Sequence, residues 1–194
     1  MDDIVCRIKR IPHWARVACA AHLARTVQPL LGEYWPQVTA ERQDSIQTAI
    51  RLIEQSAVAG YPVDGLKSAH IEVLKTAGAA LLPIYGVSRG GPGPPNENAC
   101  YIASFSAKVA ERGVWAAMEG KGQSENALAE AYSFTSSALK RAQHESVLGR
   151  LQASLIAVSR IASQNKWVDD TPVPTTLFDT LTTESHQKLW WRFW

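Results

Sequence analysis

Residues 96–118 read NENACYIASFSAKVAERGVWAAM, and this stretch decides the fold. With about 100° of rotation per residue, as in an α-helix, its apolar side chains spread over a very wide arc. Most of them are small, such as Ala99, Ala103 and Ala107. A helix that is apolar on most sides is buried on most sides, and small side chains let its neighbours approach closely. The stretch therefore predicts the central helix of a helical fold.

The chain before this stretch carries the same helical signal in three segments. In each segment apolar residues recur every three or four positions, and glycine or proline follows the last of them. The segments are residues 13–34, 39–59 and 64–82. His22 in the first is expected on the outer face. The third is expected to bury a stripe formed by Leu66, Val73, Leu74, Ala77 and Leu81. Residues 86–95, GVSRGGPGPP, predict a loop because glycine and proline break helices.

The segment after the central stretch contains almost no helix breaker from residue 124 to residue 163. Its apolar residues nevertheless face two directions. Those of 128–139 and those of 147–162 are separated by roughly 150° at the helical period. A single straight helix would therefore bury only half of its length. We predict a turn between Gln143 and Gly149, with two antiparallel helices, one on each side.

These patterns predict an all-α fold, either an antiparallel helical bundle or an α-solenoid-like stack of about six to eight helices. The alternating apolar and polar runs of strands are absent from the sequence, and we find no fixed repeat. One helical domain is expected over residues 1–194, with its main body at 12–167 and a linker and tail at 168–194. The tail ends in LWWRFW and contains Trp190, Trp191 and Trp194. These tryptophans are expected to close the core, to pair two copies of the chain or to dock a partner.

The composition is that of an ordinary globular protein, and it excludes several classes. Hydrophobic residues make up 46% of the chain, charged residues 20%, and the formal net charge is +2. A strongly basic nucleic-acid binder would show an excess or a run of positive charge, so no direct nucleic-acid binding is expected. We find no secretory signal and no apolar run of membrane-spanning length, which predicts a soluble cytoplasmic protein without a membrane anchor. Cys6, Cys19 and Cys100 form no CxxC pair and are expected to be reduced, buried thiols.

The sequence patterns of common catalytic and metal sites are missing. The five histidines include no His-x-x-x-His or HExxH pair, which excludes the zinc sites that are built on one helix. The glycines near residues 86–93 lack the Lys-Ser or Lys-Thr ending of a phosphate-binding loop, and no GxSxG nucleophile motif occurs. We therefore expect no cofactor, no bound metal and no recognisable enzymatic activity.

Two polar residues, Arg16 and His70, fall in the middle of apolar helix faces. A buried arginine is costly without a carboxylate, so Arg16 either reaches solvent, pairs with an acidic residue of another helix or lines a pocket. His70 is either a hydrogen-bonded core histidine or a pocket residue. A pocket between helices that holds Arg16, His70 and Glu111 would make the protein a small-molecule-binding protein or an enzyme.

The central stretch also carries a polar strip at helical spacing. The candidate partner-binding residues on this strip are Tyr101, Lys108, Glu111, Arg112 and Trp115. Aromatic residues mixed with arginine are enriched at protein interfaces. The strip therefore indicates either a docking surface or, where Tyr101 and Trp115 pack beneath another helix or the tail, a buried contact.

Residues 15–31, ARVACAAHLARTVQPLL, resemble the first helix of an all-helical family of bacterial immunity proteins, which are encoded beside polymorphic toxins. Residues 45–50, SIQTAI, and 98–107, NACYIASFSA, are similar to the second helix and to later helices of that family, and the resemblance covers 12–142. It implies a protein that binds a cognate toxin in the cytoplasm and neutralises it by steric occlusion, burying about 800 Å² on its side. The toxin would then act on a cytosolic target, as a nuclease does. A homo-oligomeric scaffold or adaptor, with a homodimer formed through the tail, is the remaining alternative.

Overall fold

The computed structural model of the chain describes residues 7–86 and 93–186, with side chains described up to residue 181. Seven α-helices lie wholly within these ranges, and none of the described residues is in a β-strand. The helices are α1 His13–Tyr34, α2 Ala40–Ala59, α3 Leu66–Leu81, α4 Glu97–Met118, α5 Lys121–Arg141, α6 Glu145–Gln164 and α7 Thr176–His186. A short 3₁₀ helix, Leu82–Tyr85, extends α3. The helices pack against one another, which confirms the predicted all-α class.

α4 is the central helix, as its wide apolar arc predicts. It packs against α1, α2, α3 and α5. The approach is close: a Cβ atom added to Gly113 would lie 2.7 Å from Cδ1 of Ile53 in α2 and 3.7 Å from Cβ of Ala20 in α1. Packing at such distances leaves almost no room for a larger side chain. Asn96 caps the helix, since its side chain accepts a hydrogen bond of 2.9 Å from the backbone N–H of Ala99.

α1 is the second buried helix, and it lies against α2, α4 and α5. Every residue from His13 to Ala24 is buried. The expectation that His22 faces outward is therefore wrong, because α1 is covered on all sides over this length. Cys19 and Cys100 are buried free thiols, as predicted, and burial raises the pKa of Cys19 to about 12. Cys6 lies outside the described residues.

The predicted break between the last two long helices is confirmed at residues 142–144, between α5 and α6. Gln143 has a left-handed φ of 61°. The backbone N–H of His144 donates to the carbonyl of Leu139 at 2.8 Å, so α5 closes in a Schellman motif. The turn is shorter and earlier than the predicted range, since Gly149 lies inside α6.

α3 buries only part of the predicted stripe: Leu66, Val73 and Ala77 are buried as expected, whereas Leu74 and Leu81 are not. Leu74 is 51% exposed, and Leu81 is only half-buried. The residues that face the core are Leu66, Ala69, Val73, Thr76, Ala77 and Ala80. Alanine is only weakly hydrophobic, so Leu74 and Leu81 dominated the pattern, and the predicted stripe was centred too close to them. In the structure the alanines set the buried face, because small side chains let α3 lie close to α4.

The segment after α6 returns to the start of α1, and it contains the predicted linker and short helical piece. The backbone N–H of Val173 donates to the carbonyl of Ala57 at 3.0 Å, and Asp169 contacts the first turn of α1. α7 then packs on α1 and α6 and buries Leu177 and Leu181. None of the helices within the described ranges combines the length and apolar character that crossing a membrane requires.

Candidate functional site

One line of half-exposed side chains runs along α4. Its members are Tyr101, Phe105, Lys108, Arg112 and Trp115, and every other residue from 99 to 117 is buried. Spacings of three and four residues place the five on one side of the helix. Their side chains contact α3 on one flank and α5 on the other. We call this line the α4 stripe. It contains four of the predicted partner-binding residues.

An aromatic cluster holds one end of the α4 stripe. The rings of Tyr101 and Phe105 are 6.0 Å apart between centroids, and Phe105 stacks on Phe134 of α5 at 5.7 Å. Cζ of Arg141 lies 4.6 Å above the ring of Tyr101, and Nζ of Lys108 lies 5.2 Å above the ring of Phe134. These distances are typical of cation–π contacts. We call these five residues the cation–aromatic cluster.

The cations of this cluster have no carboxylate partner among the described residues. Lys108 contacts the ring of Phe134, and Arg141 contacts two rings and the side chain of Asn98. Nη1 of Arg141 donates to Oδ1 of Asn98 at 3.1 Å, and Nδ2 of Asn98 donates back to the carbonyl of Arg141 at 3.4 Å. A ring attracts a cation through its quadrupole but carries no net charge. The charge of Lys108 acts on Glu111, as the last and smallest of the effects on the pKa of that carboxyl group, but forms no ion pair with it. This end of the α4 stripe therefore keeps a positive charge that is only partly compensated.

The other end of the α4 stripe has balanced charges. Oε1 of Glu111 lies 3.5 Å from Nδ1 of His70 in α3, and its Oε2 lies 3.2 Å from Nε of Arg112. Nε of Arg112 lies 2.8 Å from Oε2 of Glu130 in α5. The ring of His70 lies against Trp115, with centroids 5.5 Å apart. We call these five residues the His70–Glu111 cluster.

Glu111 is not a surface residue, although the sequence placed it on the polar strip. It is only 5% exposed, because His70 and Arg112 lie over its carboxyl group. Burial raises its pKa above the usual value, while the neighbouring charges of Arg112 and His70 act in the opposite direction. In the structure its carboxyl group lies against His70 and Arg112.

Arg16 lies in a separate polar cluster at the start of α1. Its Nη2 donates to the carbonyl of Lys121 at 3.0 Å and lies 3.5 Å from Oδ1 of Asp169. The same Asp169 oxygen accepts a hydrogen bond of 2.8 Å from the backbone N–H of His13. Ser124 donates to the carbonyl of Lys121 at 3.0 Å and lies 2.9 Å from Nδ1 of His13. This Arg16 cluster joins α1, the start of α5 and the segment after α6.

The Arg16 cluster surrounds His13 with polar and charged groups. The hydroxyl of Ser124 lies within hydrogen-bond distance of both the carbonyl of Lys121 and Nδ1 of His13, so Nδ1 donates to Ser124 in the tautomer in which the hydroxyl donates to Lys121. Burial lowers the pKa of His13, and the nearby Arg16 lowers it further. Burial also lowers the pKa of Arg16. Asp169 places a carboxylate at the first N–H of α1, where the helix dipole favours negative charge.

The predicted pocket of three residues is only partly brought together. His70 and Glu111 meet, whereas Arg16 belongs to its own cluster and pairs with Asp169. We expected the carboxylate that pairs with Arg16 to come from another helix. It comes instead from Asp169, in the segment after α6. Within the described residues, no group of three or more His, Cys, Asp and Glu side chains is placed to hold a metal ion. The candidate tail residues Trp190, Trp191 and Trp194 lie outside the described part of the chain.

Three residues of the site were missed by the sequence reasoning. Phe105 was counted in the apolar arc of α4, and Phe134 and Arg141 of α5 were not considered as site residues. Phe134 and Arg141 are seven positions apart, so they lie on one side of α5 and face α4 together. That seven-residue spacing was the one feature of the sequence that could have indicated these two residues. Comparison of the chain with protein families, curated proteins and solved structures gives no match.

Proposed function

We propose that this protein is an immunity protein that binds a cognate protein toxin and covers its active site or substrate channel. The observation that carries the proposal is the α4 stripe, in which aromatic and cationic side chains stay half-exposed on an otherwise buried helix. Tryptophan, tyrosine and arginine are the residues that most often dominate the binding energy of protein interfaces. The α4 stripe contains one of each.

The side chains of the α4 stripe are held in place before any partner arrives. Tyr101 and Phe105 are held by ring contacts and by Arg141, while Arg112 is held by Glu111 and Glu130. Ordering a mobile side chain on binding costs about 0.5–1.5 kcal/mol, so a surface ordered beforehand binds more tightly. This rigidity supports a binding role.

The size of the surface also fits occlusion. α4 has 22 residues and is therefore about 33 Å long. Together with side chains from α3 and α5, a surface of that length accommodates the ~800 Å² that one partner buries in a typical complex. Occlusion needs no chemistry from the inhibitor, only slow dissociation.

The resemblance of residues 15–31 to immunity proteins supports this function only through the way α1 packs in the core. Residues 15–24 are all buried. The resemblance therefore concerns the core helix α1, whereas the proposed toxin-binding surface lies on α4.

The test is co-expression of this protein with the product of the gene beside it. The wild type is expected to form a one-to-one complex and to restore the growth of cells that express the toxin. Tyr101→Ala should weaken the complex by about tenfold in calorimetry, because it removes a ring from the α4 stripe. Tyr61→Ala is the matched control, since Tyr61 is 61% exposed and lies between α2 and α3, outside the α4 stripe.

Two results would contradict the proposal. One is the absence of any complex between the wild-type protein and the neighbouring gene product. The other is a complex that Tyr61→Ala weakens as much as Tyr101→Ala, which would place the binding surface elsewhere. Circular dichroism of both variants shows whether they remain folded.

A further inference from the structure

The two ends of the α4 stripe differ in charge balance. Arg112 lies between two carboxylates, those of Glu111 and Glu130. Among the described residues, Lys108 and Arg141 have rings and one amide side chain as partners, and no carboxylate. The cation–aromatic cluster is therefore the part of the α4 stripe that attracts negative charge.

The two cations surround the same pair of stacked rings. Cζ of Arg141 lies 6.0 Å from the centroid of Phe105, and Nζ of Lys108 lies 5.2 Å from that of Phe134. These two rings are 5.7 Å apart. One short segment of a partner therefore reaches both cations at once.

We propose that the cation–aromatic cluster takes an acidic segment of the protein partner. Aspartate or glutamate side chains of that segment lie against Lys108 and Arg141, and an apolar side chain packs on the rings of Tyr101 and Phe105. This inference rests on the proposed function and adds the chemistry of the partner surface. It implies that the protein covers an acidic face of the toxin and not the basic channel that a nuclease would use to hold nucleic acid.

A nucleic-acid strand fits the same surface less well. A phosphate backbone needs a continuous path of positive charge, and such binding weakens steeply with salt. The positive charge along the α4 stripe is interrupted instead at Arg112, which pairs with Glu130 of α5, whose side chain is 52% exposed, and the formal net charge of the chain is only +2. A short acidic peptide segment needs only the two cations of the cluster.

The first experiment is charge reversal in the full chain, with binding to the neighbouring gene product measured at two salt concentrations. The double variant Lys108→Glu and Arg141→Glu should weaken the complex by about thirtyfold or more at low salt, because like charges then meet. The matched control, Arg51→Glu and Arg160→Glu, makes the same change in formal charge at exposed positions on α2 and α6. It should stay within about threefold of the wild type, since it acts only at long range.

The second experiment identifies the chemical group on the partner. A carbodiimide joins a lysine amine to a carboxylate only where the two are in contact. Mass spectrometry should find Lys108 joined to an aspartate or glutamate of the partner. Lys108→Arg keeps the charge but cannot be joined, so it should retain binding and lose this product.

The outcomes separate this inference from the proposed function. If the wild type forms no complex, the proposed function fails. If the complex forms and both double variants bind alike, with no product at Lys108, the proposed function stands and the acidic partner segment is wrong. If the Lys108 and Arg141 variants instead abolish binding to fluorescent single-stranded RNA and leave the protein complex intact, the cluster is a nucleic-acid surface and the inference is overturned.

Discussion

The Arg16 cluster and the cation–aromatic cluster both place positive charge beside the apolar core helices α1 and α4, but their partners differ. Arg16 is 5% exposed, and its guanidinium contacts a backbone carbonyl and the carboxylate of Asp169. Lys108 is half-exposed and Arg141 is exposed, and both lie on aromatic rings. The first arrangement ties three segments of the chain together. The second leaves positive charge at the surface.

The difference shows how a charge on an apolar face can be interpreted. A buried cation that contacts a backbone carbonyl and a carboxylate distant in sequence stabilises the fold, because removing it takes a charged partner away from both groups. A half-exposed cation on rings adds little to the fold and remains available to a partner. The predictions below test this division, in order of decreasing effect.

The largest effect is expected for Arg16→Met. This change removes the guanidinium from the carbonyl of Lys121 and the carboxylate of Asp169, and should lower the free energy of unfolding by about 2–3 kcal/mol. This loss of stability is smaller than that for breaking a fully buried ion pair, because the Asp169 side chain is 41% exposed. Urea denaturation followed by circular dichroism measures it. Lys108→Met, the control in the cation–aromatic cluster, should cost about 1 kcal/mol or less, because Lys108 is half-exposed and contacts only the ring of Phe134. Equal losses for the two variants would remove the distinction between the clusters.

The next effect is on binding. Phe105→Leu keeps most of the buried volume but removes the ring that stacks on Phe134 and lies near Arg141. Affinity for the toxin should fall about tenfold, while the free energy of unfolding changes by about 1 kcal/mol or less. Phe178→Leu on α7 is the matched control and should leave affinity unchanged. A tenfold loss in the control, or none in Phe105→Leu, would contradict the assignment.

A smaller effect is the pH dependence that comes from His13. Its pKa in the folded chain lies below the usual 6.5, so the folded state binds fewer protons than the unfolded state. The stability from His13 is therefore present above pH 6.5 and is lost as the pH falls through the folded value. His13→Asn, which retains an N–H donor for Ser124, should lose less stability than the wild type on acidification. Denaturation curves across that range measure this, and parallel curves would contradict it.

The smallest effect is expected from Glu111, and it has the opposite sign. Burial raises its folded pKa above the usual 4.5, so its contribution is present below pH 4.5 and is lost as the pH rises through the folded value. The difference in stability between the wild type and Glu111→Gln should therefore shrink or reverse as the pH rises. A difference that grows with pH would show that the attraction of Arg112 and His70 outweighs burial.

The fold was largely readable from the sequence because burial in helices follows a local period. The central position of α4 and the turn at residues 142–144 both came from the direction of apolar residues. The predicted stripe of α3 was wrong at Leu74 and Leu81 because half of the buried residues of this helix are alanines, which contribute little to a hydrophobic pattern. The prediction that His22 faces outward was wrong because α1 is covered on all sides around this residue and has no outer face there.

The site was readable only where it lies on one helix. Four residues of the α4 stripe follow from spacing alone. Phe134, Arg141 and Asp169 come from other segments, and their contacts depend on how those segments are aligned with α4 and α1. That alignment is set by packing across the core, which no local pattern records.

The most direct test follows two tryptophans that report on the two regions. Trp14 is 5% exposed beside the Arg16 cluster, with its ring 4.3 Å from that of His13, and Trp115 lies at one end of the α4 stripe. The protein labelled with fluorotryptophan is titrated with the toxin, and the fluorine resonances are assigned with Trp14→Phe and Trp115→Phe. If the α4 stripe binds the toxin, the chemical shift of the Trp115 resonance changes on binding while that of Trp14 remains the same. A shift of Trp14 with Trp115 unchanged would contradict it.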